Sequence, residues 1–176
     1  MRATDANEKR TQRGGPLRAT EEGAEGVEDQ MAAGLEHEKL SEAIIGSAIK
    51  VHRALGPGLL ESAYETCLVH ELCKTGLRIA RQVELPIVYD SITLESGFRL
   101  DMVVEDSVIV ELKSIDKLAP IHEAQLMTYL RLSGKSVGLL INFNVTRLID
   151  GVVRRAMSHS SPRPSAALRV EKDLCS

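Results

Sequence analysis

Two short runs of alternating apolar residues constrain this 176-residue chain more than any other feature. Phe98, Leu100, Met102 and Val104 occupy every second position, and after a polar break Val108, Val110 and Leu112 do the same. Successive side chains of a strand point to opposite faces, so each run has one apolar face. A hairpin that aligns those faces pairs Val104 with Val108, Met102 with Val110 and Leu100 with Leu112. A two-residue turn would slip the register by one and turn one apolar face outward. An odd-numbered loop or a bulge is therefore expected over Glu105-Asp106-Ser107. The same register sets Asp101 across from Glu111, with Lys113 on the same face and Arg99 near it. Like charges directly opposite one another destabilise a sheet unless a cation compensates. Two readings fit. One is a solvated sheet face carrying an ion pair. The other is a hard-cation site, in which two carboxylates hold Mg2+ together with several waters. In the second, the metal acidifies a water and stabilises phosphate charge, while Lys113 orients the attacking water or offsets developing charge.

The remaining chain supplies helices around these strands. Leu40, Ile44, Ile45, Ala48, Val51 and Leu55 recur at helical spacing and predict an amphipathic helix over 39–54, stopped by Gly56-Pro57-Gly58. A second helix is predicted over 59–75, with Leu60, Ala63, Tyr64, Cys67, Leu68 and Leu72 inward and Gly76 as its cap. Val83, Leu85, Ile87 and Tyr89 alternate as a strand that ends at an Asp90-Ser91 turn. Residues 119–133 return to helical spacing before Gly134, and the apolar run 137–143 suits a strand buried on both faces. The expected fold is a mixed α/β (α+β) domain over 36–157, a central mixed sheet flanked by helices. Residues 1–35 are rich in Gly, Glu, Arg and Thr and poor in large apolar groups, so a disordered N-terminal extension is expected there, with Met31 a second candidate initiator. Residues 158–176 read as a flexible tail.

Bulk composition excludes several classes. No apolar run is long enough for a transmembrane helix, and the N-terminus lacks the apolar stretch of a secretory signal, so a cytoplasmic protein is expected. Cys67, Cys73 and Cys175 lack zinc spacing, and their odd number argues for packed or indifferent thiols. The net charge is -3, and residues 31–157 hold 14 Lys/Arg against 16 Asp/Glu. Any contact with nucleic acid must then come from a local basic patch or from bound cations. With 3% aromatics and no Trp there is little material for base stacking, which favours recognition of phosphates.

Further residues extend the pattern. The stretch from Val51-His52-Arg53 through Gly56-Pro57-Gly58 to Glu61-Ser62-Ala63-Tyr64 closely resembles the signature of the GxxExxY family, itself assigned to the PD-(D/E)XK nuclease superfamily. The similarity continues through Arg99-Leu100-Asp101, Val110-Glu111-Leu112-Lys113, His122 to Leu126 and Gly138 to Phe143, covering about residues 38–155. This resemblance implies a restriction-endonuclease-like core and a Mg2+-dependent nuclease, Mn2+ being an alternative metal. It implies nucleic acid as partner, DNA ahead of RNA. Asp101 matches the motif aspartate, and Glu111 and Lys113 match its ExK. Glu61 matches a helix glutamate that points toward the metal in RecB-like nucleases, and Gln125 and Tyr129 match the QxxxY pattern of that branch. The implied catalytic set is Asp101, Glu111, Lys113, Gln125 and Tyr129, with Glu61, Asp101 and Glu111 as metal ligands. Read alone, Glu61 is a carboxylate favoured by the helix dipole, Gln125 and Tyr129 merely share a helix face, and His122 is structural. The fold also hosts members without catalysis, so a nucleic-acid-binding or structural module is the competing reading.

Overall fold

The computed structural model describes residues 22–157. The chain divides between Ala33 and Gly34 into two units, and the second contains the sheet. The elements are α1 (Glu22–Leu55), α2 (Glu61–Cys73), β1 (Ile79–Tyr89), β2 (Ile92–Val104), β3 (Val108–Lys113), α3 (Pro120–Ser133), β4 (Val137–Asn142), a 3-10 turn (Leu148–Gly151) and β5 (Val152–Ala156). The five strands lie in the order β1-β2-β3-β4-β5. Neighbours are antiparallel except β3 and β4, which run parallel and need the crossover that α3 provides. The mixed sheet flanked by helices is the fold class expected from the sequence.

Packing explains the order. Ile44, Ala48 and Val51 of α1 and Tyr64, Leu68 and Leu72 of α2 cover one face of the sheet, against Met102, Val110, Leu112, Leu139 and Ile141. Leu126, Tyr129 and Leu130 of α3 cover the other, against Val83, Leu85, Leu100, Ile109 and Leu140. The inner strands are thus sealed on both sides, and every residue of β4 is buried, as its unbroken apolar run requires. Gly134 closes α3 at φ 72, its N–H reaching the Leu130 carbonyl.

The central hairpin has the register that its apolar pattern dictates near the turn. Val104 pairs with Val108 and Met102 with Val110. The connection is the three-residue loop Glu105-Asp106-Ser107, with Glu105 and Asp106 both at positive φ. Beyond Met102 the expected alternation fails. Leu100 and Phe98 pack with the α3 cluster, not with Met102 and Val104 on the opposite face. No rung joins Leu100 to Leu112, because the Leu112 N–H is taken by the Asp101 carboxylate instead.

Other differences have simple causes. The first helix starts at Glu22, not near residue 39, so residues 22–35, expected to be unordered, carry helix. Residues 1–21 and the expected tail at 158–176 lie outside the described residues. Leu60, expected to face inward, is 78% exposed because α2 begins one residue later. The 3-10 turn and β5 were not foreseen: Val152-Val153-Arg154-Arg155-Ala156 forms a half-exposed edge strand without apolar alternation. Cys67 is a free thiol, and Cys175 lies outside the described residues. Among the described residues no helix is long and apolar enough to cross a membrane.

Tyr64 joins the first two helices to their turn. Its ring stacks on Phe143 at 4.4 Å between centroids. Its hydroxyl donates to the Gly56 carbonyl at 2.6 Å and accepts the Leu59 N–H at 3.1 Å. Tyr64→Phe keeps the stack but strands both backbone groups, so urea unfolding is expected to show a loss of roughly 1–3 kcal/mol. An unchanged midpoint would show that water replaces the hydroxyl without cost.

Candidate active site

The site forms where β2 and β3 part. Their backbone ladder runs from Val104/Val108 to Met102/Val110. Past that rung the Asp101 carboxylate accepts the Leu112 N–H at 2.8 Å, so a side chain does the work of a backbone carbonyl. β3 itself is held in place by its parallel pairing with β4 as far as Lys113 and Asn142. Asn142 then fixes the chain beyond β3: its side-chain amide donates to the Ile115 carbonyl at 2.8 Å and its side-chain oxygen accepts the Ile115 N–H at 3.1 Å.

Glu111 is almost fully enclosed, at 3% exposure. Its Oε1 accepts a charge-assisted bond from Lys113 Nζ at 2.7 Å, and its Oε2 is buried with no hydrogen-bond partner. Burial, then the negative charge of Asp101, outweigh Lys113 and push the Glu111 carboxyl up to about 7. Asp101 is also raised, by burial first, despite its bond to the Leu112 N–H and the charge of Lys113. Burial works against the Lys113 ammonium, but the bond to Glu111 and the surrounding carboxylates prevail and raise it, so Lys113 stays charged.

Glu61 reaches this centre from the first turn of α2. The turn before it is stapled to the end of β3: Ser114 Oγ donates to the Leu59 carbonyl at 2.5 Å, and the Ser114 N–H donates to Glu61 Oε1 at 3.0 Å. From there the Glu61 charge raises Asp101, Glu111 and Lys113 alike. On the α3 side, Gln125 donates to the Tyr129 hydroxyl. Burial, then the nearby Glu111 charge, hold the Tyr129 hydroxyl up to about 12, so it remains a neutral donor. Phe98 packs edge-on against its ring at 5.2 Å. Asp101, Glu111 and Lys113 interact directly or through charge, Glu61 and Tyr129 are coupled to them through charge, and Gln125 touches the group only through Tyr129.

Arg99 is not part of it. Its guanidinium lies 3.7 Å from Glu84 on β1 and is largely exposed. Several other basic residues of the domain are also paired: Arg78 with Glu105, Arg81 with Glu65, Lys135 with Asp106 and Arg147 with Asp150. His122 is structural, its Nδ1 accepting the Ala119 N–H at the start of α3. Sequence reasoning missed Glu65 and Gln82, which line a cleft of about 500 Å³ with Glu61, Asp101 and Ser114. Glu65 was within reach of that reasoning, because it stands four residues after Glu61 on the same helical face.

Two carboxylates, one with a buried unpartnered oxygen, fit a hard cation that keeps most of its waters. They do not form a closed protein cage: among the described residues no group of three His, Cys, Asp or Glu is placed to hold a metal ion. Glu61 has one oxygen on the Ser114 N–H and its carboxylate is exposed, so it acts on the centre mainly through its charge.

Without divalent cations, the raised Glu111 has a direct consequence for stability. A folded-state carboxyl held near 7 favours the protonated form. Its contribution is therefore fully present below the ordinary carboxylate range and is lost as pH rises from about 4.5 to about 7. The loss amounts to at most about 3 kcal/mol. In EDTA, wild type should weaken relative to Glu111→Gln between pH 4.5 and 7.5 in urea titrations. Parallel pH profiles for the two proteins would show that Glu111 ionises normally in the fold.

Comparison with known proteins agrees with this geometry. No curated protein and no solved structure matches the chain. A family model described as the PD-(D/E)XK nuclease superfamily matches residues 38–155, a span that includes every residue of the site. The chain belongs to the PD-(D/E)XK nuclease superfamily.

Proposed function

We propose that this chain is a Mg2+-dependent nuclease, with Mn2+ as an alternative metal, that hydrolyses phosphodiester bonds in nucleic acid. The observation that carries the reading is the Glu111 Oε2, buried beside Asp101 with no partner, in a site whose one ammonium already serves Oε1. A cation bound by Asp101 and Glu111, with Glu61 as a further ligand or through water, would supply Lewis acidity toward a phosphate and a water. The protein's own groups have distinct tasks. Asp101 is fixed by the Leu112 N–H, so its orientation is set before substrate arrives. Lys113, held charged, stabilises negative charge as it develops on the phosphate. Tyr129, oriented by Gln125, presents a neutral hydroxyl near the same carboxylates.

Within the superfamily, the GxxExxY assignment and the RecB-like branch account best for the positive φ of Gly58, the bonds of Glu61 and Tyr64 around one turn, and the Gln125–Tyr129 pair. The substrate is read through its phosphates, with DNA favoured over RNA. The cleft carries Glu61, Glu65 and Asp101 and no Lys or Arg, so a polyanion gains entry there only together with cations.

The test uses pure protein with single- and double-stranded DNA and RNA in Mg2+ or Mn2+. Cleavage should disappear in EDTA and fall by roughly a hundredfold or more in Asp101→Ala and in Lys113→Ala. Cleavage that survives both substitutions comes from a contaminant and rejects the site. Metal-dependent binding without cleavage would instead identify a binding module.

A further inference from the structure

The long β1–β2 ribbon changes face in its middle. Ile79 packs with Met102 and Val104 on the α1/α2 side. Val83 and Leu85 pack with Leu100 on the α3 side, although 79, 83 and 85 have the same parity. A regular strand would keep all three on one face. The reversal falls between Arg81 and Val83 on β1 and between Met102 and Leu100 on β2, pairs that stand opposite each other in the ladder. The residues at the crossover are Gln82 and Asp101, and their rung is missing from the ladder.

Gln82 sits at φ 48, in the left-handed region that side chains other than Gly, Asn and Asp rarely adopt. Its side chain is tied down. Gln82 Nε2 donates to Glu65 Oε2 at 3.1 Å, and the preceding Arg81 donates through Nε to Glu65 Oε1 at 2.7 Å. Glu65 is 7% exposed, so one buried carboxylate on α2 clamps two consecutive residues of β1. Gln82 and Glu65 also line the cleft that Asp101 enters. We propose that Glu65 and Gln82 are positioning residues for Asp101: their bond holds the left-handed residue whose crossover turns Asp101 out of the ladder and toward the cation. This rests on the cation reading given above.

The full-length protein is titrated with Mn2+ by isothermal calorimetry, with circular dichroism to verify folding of each variant. Gln82→Ala should bind Mn2+ about tenfold or more weakly than wild type, the scale of loss when a ligand's supporting partner is removed. Glu65→Ala should show a similar loss, and the double variant should be little worse than either, because both substitutions break one chain of bonds. Gln82→Gly should retain more affinity than Gln82→Ala, since glycine adopts positive φ freely. A purely structural role predicts unchanged Mn2+ affinity in every variant that remains folded, with only the unfolding midpoint moving. If Glu65→Ala does not fold, the two Gln82 variants decide the matter. Wild-type affinity in folded Gln82→Ala, or weaker binding by Gln82→Gly than by Gln82→Ala, overturns the inference alone. Absence of Mn2+ uptake by wild type overturns the cation reading and the inference with it.

Discussion

The bond from the Leu112 N–H to the Asp101 carboxylate is the interaction on which the site depends. In an ordinary hairpin that N–H would be paired through the backbone ladder, and Asp101 would be one more alternating side chain. Here the strands part after Met102 and Val110, and the carboxylate replaces the missing ladder partner. The exchange keeps a buried N–H satisfied, which the interior demands. It also fixes a carboxylate at the exact break in the sheet where Glu111 and Lys113 emerge. Parallel pairing of β3 with β4, continued as far as Asn142, keeps β3 in place while β2 departs.

Around that break the molecule concentrates negative charge with too few positive partners. Glu111 shares one oxygen with Lys113 and leaves the other bare. Asp101 and Glu61 add to the field, and burial intensifies it. A structural ion pair has no need of a second carboxylate so close, and an unpartnered buried oxygen is costly to the fold. A proton relieves the imbalance at low pH, and under the proposed function a hard cation would relieve it near neutrality. The staple from Ser114 to Leu59 and Glu61 shows the same arrangement from the helix side, since it draws the start of α2 to the residue immediately after Lys113.

The elements and the hairpin loop were legible in the sequence because they follow from alternation and helical spacing. Met102/Val110 and Val104/Val108 were dictated by apolar parity, and the three-residue loop followed from it. The pairing of Leu100 with Leu112 was not, because parity presumes a regular strand and the ribbon reverses at Gln82 and Asp101. No local signal marks that reversal: Gln82 is neither glycine nor asparagine, and the carboxylate that holds it lies 17 residues away on α2. The placing of Arg99 beside Lys113 failed for the same reason, and it pairs with Glu84 instead. β5 escaped because an edge strand of mixed polarity has no periodic signature. The residue types of the site were readable as motifs, while the supporting residues Glu65, Gln82 and Asn142 are recognisable only by what they touch.

Under the proposed function, a divalent cation completes the pair formed by Asp101 and Glu111. A crystal of the full chain grown with Mn2+, with anomalous scattering recorded at the manganese edge, tests it most directly. The expected result is an anomalous peak within ligand distance of Asp101 and of Glu111 Oε2, lost in Asp101→Ala. A peak elsewhere on the molecule, or saturating Mn2+ with no peak and Glu111 Oε2 still buried without a metal, would contradict it.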